Sequence, residues 1–225
     1  MRQLALPISL TAEQTFDAFH VSAENSVAVA AVQAMVQGRS DESQIVLWGE
    51  AACGKTHLLN AACHAASGIG GRIAYLSGEH LNDSDALLGV ERCDLVCLDD
   101  VQQLHIDAEE ALFHALNRCR QANTRLLISC NTDLESLSIE LADLITRLHW
   151  GPNFQILSLA DAALHDALEQ LLMARELTWN DDVVPYMLKR YPRDIAQLRR
   201  CVMKLDKASL QAQRRITIPF LKTVL

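Results

Sequence analysis

The stretch IVLWGEAACGKTHLLNAAC, residues 45–63, changes character twice along its length. Ile45 to Trp48 form a short apolar run of the kind found in a buried strand. A turn bounded by Gly49 and Gly54 follows, and from Lys55 onward the apolar residues take up helical spacing. Gly49-Glu-Ala-Ala-Cys-Gly54-Lys55-Thr56 is a complete GxxxxGK[ST] pattern between a strand and a helix. Glycines let the backbone curl so that the N–H groups of Ala51, Ala52, Cys53, Gly54, Lys55, Thr56 and His57 face an anion, and the helix N-terminus adds its dipole. In such a loop the lysine reaches the β- and γ-phosphates of a nucleotide and the Thr56 hydroxyl serves Mg²⁺. An ordinary glycine turn can show the same letters by chance, but not between these two flanks.

Outward from this centre, apolar strands alternate with helical stretches. The strand candidates are residues 45–48, 72–77, 94–100, 125–131 and 154–159, and helices are expected over 24–37, 55–67 and 107–121. Buried apolar runs separated by helices predict a parallel sheet covered on both faces. After Ala160 the strands cease. DAALHDALEQLLMARE, DDVVPYMLKRY, PRDIAQLRRCVMKLDKASL and IPFLKTVL all carry helical spacing, with Pro192 suited to a helix start. The expected division is an N-terminal peptide and linker over 1–14, an α/β nucleotide-binding domain over 15–159 and a helical domain over 160–225.

LVCLDD, residues 95–100, is an apolar strand ending in two carboxylates about 45 residues beyond the loop. Asp99 suits a metal site and Asp100 the polarisation of an attacking water. RLLISCN, residues 125–131, ends on Asn131, which could hold that water or the γ-phosphate; alone, such an asparagine is a turn former.

The chain has 225 residues, of which 50% are hydrophobic and 21% charged, an ordinary globular composition. No apolar run approaches the roughly 20 residues of a membrane span, and no signal peptide is visible at the start. Seven cysteines without a regular framework suit a reducing cytoplasm, and the lack of CxxC pairs argues against zinc. Cys93 and Cys97 are expected on one face of a strand. From Asp161 onward 11 basic residues face 8 acidic ones, a net of +3, whereas the preceding part holds 9 against 20, a net of −11. The larger part would repel a phosphate backbone, so little direct DNA binding is expected.

Taken together the motifs resemble those of AAA+ ATPases, and more narrowly the bacterial replication initiator DnaA. The resemblance rests on TFDAF (15–19) with Asn25, GKTHLL (54–59), DDVQ (99–102) and TRLHWG (146–151). It implies a five-stranded parallel sheet in the order 5-1-4-3-2 with a small helical lid, ATP or ADP with Mg²⁺ held by Thr56 and Asp99, and a base lying between Phe19, Val21 and Asn25 and the lid near Ile195. It also makes Arg147 an arginine finger. The initiator's helix-turn-helix finds no counterpart after the lid, and GEHLNDSDALLGVERC (78–93) is short and acidic where the initiator has a DNA-contacting insert. That combination is similar to the DnaA-homologous regulators of the Hda family. Membership would imply two partners: the sliding clamp, the β subunit of DNA polymerase III, and the initiator, whose ATP hydrolysis Arg147 would stimulate in trans.

The same resemblance assigns the first residues. Gln3, Leu4, Leu6 and Pro7 fit the family's clamp-binding peptide Q-L-x-L-P, an extended pre-proline segment able to seat two leucines in an apolar groove. The lid departs from the family pattern: Ala196 stands where a second sensor arginine is expected, and Arg193, Arg199 and Arg200 lie nearby on the same helix. Weak or absent intrinsic ATPase activity follows as an expectation, and self-association through the finger face is conceivable. Two other readings remain open, a helicase loader and a self-sufficient ATPase associated with the initiator.

Overall fold

A computed structural model describes residues 14–191 and 195–225. The chain divides into two compact units, one ending at Leu157 and the other running from Ser158 to Leu225.

The first unit is built on five parallel strands: β1 (Gln44–Trp48), β2 (Ile73–Leu76), β3 (Leu95–Leu98), β4 (Arg125–Cys130) and β5 (Asn153–Gln155). Their spatial order is β2-β3-β4-β1-β5, the expected arrangement. The register sets Ile45 opposite Leu127 and Leu98 opposite Ile128. Helices α1 (Ser26–Val36) and α2 (Lys55–Gly68), α3 (Gly78–Leu81), α4 (Ile106–Gln121) and α5 (Ala142–Leu148) complete the unit. On one face Ile45, Leu47, Cys97 and Leu127 pack with Val32 and Met35 of α1 and Leu58 and Leu59 of α2. On the other, Val46, Val96, Leu98 and Ile128 pack with Leu112 and Leu116 of α4 and Leu144 and Leu148 of α5. Both faces are therefore dry, which is why β1, β3 and β4 are nearly continuous apolar runs. Each leucine buried in this way contributes about 1.5–3 kcal/mol.

Two expectations need correction. The last strand stops at Gln155 rather than continuing to Leu159. Its final ladder bond runs from Ile156 N–H to Trp48 O, and Leu157 gives both of its backbone groups to the Asn25 side chain. Cys93 and Cys97 do not share a face. Cys93 follows a 3₁₀ turn and precedes β3, so the strand's alternation does not reach it; it packs on the α4 side while Cys97 packs on the α2 side.

The second unit consists of α6 (Asp161–Met173), α7 (Val183–Arg190), α8 (Ile195–Ala212) and α9 (Ile218–Val224). Leu164, Leu168, Val184, Met187, Leu198, Val202 and Leu205 form its core. Thr217 caps α9 by accepting from Phe220 N–H, with Pro219 in the first turn. Among the described residues no helix is long and apolar enough to cross a membrane.

Candidate functional site

Trp48 ends β1, and the next residues form the phosphate-type loop. Ala52 and Gly54 both have positive φ, 62° and 109°, a kinked path that turns successive N–H groups inward. Glycine is required at position 54 for a second reason: a Cβ there would come within 2.7 Å of the Phe19 ring. Lys55 is buried, and its ammonium donates to Gly49 O at 2.7 Å and Glu50 O at 2.8 Å, with Cys53 Sγ at 3.7 Å. Thr56 is exposed at the start of α2. His57 points back to the N-terminal segment, its Nε2 2.9 Å from Thr15 O and its ring edge-on to Phe19. Phe19 is thereby brought onto the loop, while Val21 is 48% exposed and makes no such contact.

Asn25, which the resemblance assigns to the nucleotide, is held by the backbone of Leu157. It is 1% exposed, its Nδ2 donates to Leu157 O and its Oδ1 accepts from Leu157 N–H, each at 2.9 Å. Its amide is committed to the residue where the α/β unit ends. Ile195 begins α8 and packs on the core of the second unit. Arg199 and Arg200 lie on the same helix, whereas Arg193, the side chain of Ala196 and the peptide residues Gln3, Leu4, Leu6 and Pro7 lie outside the described residues.

Asp99 follows β3, at the edge of the sheet where the loop opens from β1. It is buried, and both of its oxygens are bonded: Oδ2 accepts from the Tyr75 phenol at 2.5 Å and Oδ1 accepts from the Ser129 hydroxyl. Burial and the adjacent Asp99 carboxylate push the Tyr75 pKa well up, so the phenol stays a donor. Each carboxylate oxygen keeps a second lone pair, which suits a Mg²⁺ ion or its water. Asp100 is in left-handed conformation, its N–H donating to Ser129 Oγ. Gln102 joins the next two residues of the set, donating to Asp100 Oδ1 and accepting from Asn131 N–H. Loop, Asp99, Asp100 and Asn131 thus gather at the C-terminal edge of the strands, where ligands bind in open α/β sheets. Tyr75, Ser129 and Gln102 were not assigned from sequence; a lone tyrosine and a lone serine in otherwise apolar strands were the available signal.

Arg147 stands apart from this cluster. It sits in the last turn of α5, and the carbonyls of Arg147 and Leu148 both accept from Gln44 Nε2 at 2.9 Å. Gln44 is the first residue of β1, so Arg147 is anchored at the opposite end of that strand from the loop. The start of α5 is held by the buried Glu109 carboxylate, which accepts from the N–H groups of Glu140 and Leu141. Gly151 passes so close to Gln44 O that a Cβ there would overlap it. The Arg147 guanidinium lies 4.3 Å from the centre of the Trp150 ring and 5.4 Å from that of Phe113, and it forms no ion pair with Asp143, four residues earlier on the same helix.

Residues 10–155 match the family model of the bacterial DnaA ATPase domain, and residues 161–225 match that of the Hda lid domain. The chain is an Hda-like member of the bacterial DnaA ATPase family. Solved structures with the same fold include three relatives. Domain III of the Thermotoga maritima initiator DnaA aligns with a TM-score of 0.78 and 18% identity, over 95% of this chain and 96% of that one. AMPPCP-bound DnaA from Aquifex aeolicus aligns at 0.76 and 22%, over 89% of this chain and 67% of the other. A DNA replication initiation factor aligns at 0.75 and 20%, again over 89% of this chain, which spans 66% of that relative's length. In this family member the AAA+ architecture is complete: a parallel sheet in the expected order, the loop between β1 and α2, and a helical lid unit.

Proposed function

We propose that this chain is a cytoplasmic, nucleotide-dependent regulator of a DnaA-type initiator, tethered to the DNA-loaded sliding clamp and stimulating hydrolysis of the initiator's ATP through Arg147. The observation that carries the reading is the distance of Arg147 from its own loop. Five residues of β1 separate Gln44, which anchors the finger helix, from the loop at Gly49, a span of roughly 17 Å. That is too far for Arg147 to act on phosphates held by its own Lys55. A finger so placed is suited to a nucleotide bound by a neighbouring subunit, where such a residue is worth about 10³–10⁵ in rate.

The chain's own site fits a nucleotide. Lys55, the loop N–H groups and Phe19 would hold ATP or ADP, and Thr56 and Asp99 would hold Mg²⁺, which neutralises phosphate charge when bound. Support for nucleotide binding comes from AMPPCP in the A. aeolicus relative. The bound nucleotide is read as structural, with weak or no intrinsic turnover, because Ala196 replaces the second sensor arginine. Gln3, Leu4, Leu6 and Pro7 are read as the clamp tether, and self-association through the finger face would hide Arg147.

The test is hydrolysis of initiator-bound ATP with this chain and clamp loaded on DNA. Stimulation by the wild type, lost in both Gln3→Ala and Arg147→Ala while nucleotide binding persists, is the expected result. Indifference to Gln3 would transfer support to a helicase loader.

A further inference from the structure

We infer that Arg120, Trp150 and Arg147 form a polyphosphate-binding platform in which Arg120 is a second cation acting beside Arg147 on a nucleotide presented by another subunit. The inference rests on the trans role of Arg147 and adds a residue to it.

Arg120 lies in the last turn of α4 and is exposed. Its guanidinium carbon sits 4.0 Å from the centre of the Trp150 ring, and that of Arg147 sits 4.3 Å from the same centre. One indole therefore holds two cations. Among the described residues neither guanidinium forms an ion pair, although acidic residues outnumber basic ones before Asp161 by more than two to one. Arg72 and Arg118, in the same unit, each have a carboxylate partner. Two unpaired like charges on one ring repel, and an anion between them relieves the repulsion.

Hydrogen bonding points the same way. Among the described residues Arg147 Nε is a buried side-chain donor without a partner. That N–H is covered, whereas Arg147 as a whole is half-buried, and the planar fork of arginine matches phosphate oxygens in pairs. Stacking on Trp150 and Phe113 fixes the plane of that fork before any ligand arrives. A multiply charged, flexible anion fits two forks on one ring better than a single carboxylate does, so the ligand class is the triphosphate tail of a nucleotide.

The competing role for Arg120 is structural, since a basic residue in the last turn complements the helix dipole. A structural arginine would leave anion binding unchanged on removal. The experiment uses the full chain carrying Lys55→Ala, so that its own loop does not bind phosphate, labelled with ¹⁵N. The Trp150 indole N–H resonance, identified by its loss in Trp150→Phe, is followed during titration with inorganic tripolyphosphate. A saturable shift is expected, weakened about tenfold or more by Arg120→Ala and less by Arg120→Lys, and diminishing with added salt. No saturable shift, or equal affinity in Arg120→Ala, overturns the platform. Because the titration contains no initiator, its outcome is separate from that of the hydrolysis assay: wild type failing to stimulate sinks the trans reading, whereas stimulation with no tripolyphosphate response sinks Arg120 alone. Arg120→Ala should also lower stimulated turnover about tenfold at saturating chain.

Discussion

Replacing Asn25 with alanine tests whether this residue serves the nucleotide or the end of the α/β unit. The side chain makes two hydrogen bonds to one residue, Leu157, each at 2.9 Å, and is 1% exposed. Alanine leaves the Leu157 N–H and C=O without the Asn25 amide, at a residue that is itself 42% exposed, so water takes up part of the lost pairing. Each lost hydrogen bond then costs about 0.5–1.5 kcal/mol, so about 1–3 kcal/mol is expected. Against a typical domain stability of about 5–15 kcal/mol the loss is large. Urea unfolding in a Trp179→Phe background isolates the first unit, where Trp48 and Trp150 report. The midpoint should fall by roughly 0.5–1.5 M. Asn25→Asp still accepts from Leu157 N–H but turns a carboxylate toward Leu157 O, so it should lose at least as much at neutral pH. Protonation converts that oxygen into a donor; the folded state then binds the proton more tightly than the unfolded chain, and the Asp variant should recover as pH falls. Repeating the Asn25→Ala measurement at saturating ATP separates the two roles: a clamp gives the same loss with and without nucleotide, a nucleotide contact a larger loss with it. A stability loss below about 0.5 kcal/mol without nucleotide would refute the structural role of Asn25.

Saturating ATP, at about 100 times its Kd, should stabilise the wild type by about 2.7 kcal/mol and Lys55→Ala by nothing measurable in a thermal melt. Tyr75→Phe removes one of the two hydroxyls on Asp99 and should cost about 1–2 kcal/mol in urea unfolding at pH 7, with the Ser129 bond left in place. Alkaline pH should destabilise the chain: burial pushes the Cys119 and Cys130 thiols from the ordinary 9.0 up to about 12 and raises Cys97 as well. A thiol raised in the folded state contributes its full stability below pH 9 and loses it between about 9 and 12, at up to about 1.4 kcal/mol per pH unit each, so Cys119→Ala should flatten a plot of urea midpoint against pH.

The parts of the site that were legible in the sequence are those written locally. Residues 45–63 carry their strand, loop and helix within one short window, and the carboxylates of Asp99 and Asp100 end an unmistakable apolar strand. The strand order was not legible from periodicity, because alternation fixes which residues are buried but not which strand lies beside which; it came from the family resemblance. Contacts between distant positions were hidden altogether. Gln44 and Arg147 are 103 residues apart, Asn25 and Leu157 132, and Glu109 and Leu141 32. Each of these pairs a polar side chain with backbone, which has no residue identity to read.

Those hidden contacts have a common consequence for Arg147. Its helix is only seven residues long, too short to persist alone, and neither end has a side-chain cap of its own. Glu109 supplies acceptors for the N–H groups at the start, Gln44 supplies donors for the carbonyls at the end, and both are buried residues belonging to other elements. Trp150 and Phe113 then fix the guanidinium. For the trans role proposed for Arg147, an orientation set beforehand means that no ordering cost falls on the encounter. Gln44 belongs to the same buried strand that ends at the loop, so α5 and the loop are fixed to one rigid element. The geometry of Arg147 is therefore built into the α/β core itself.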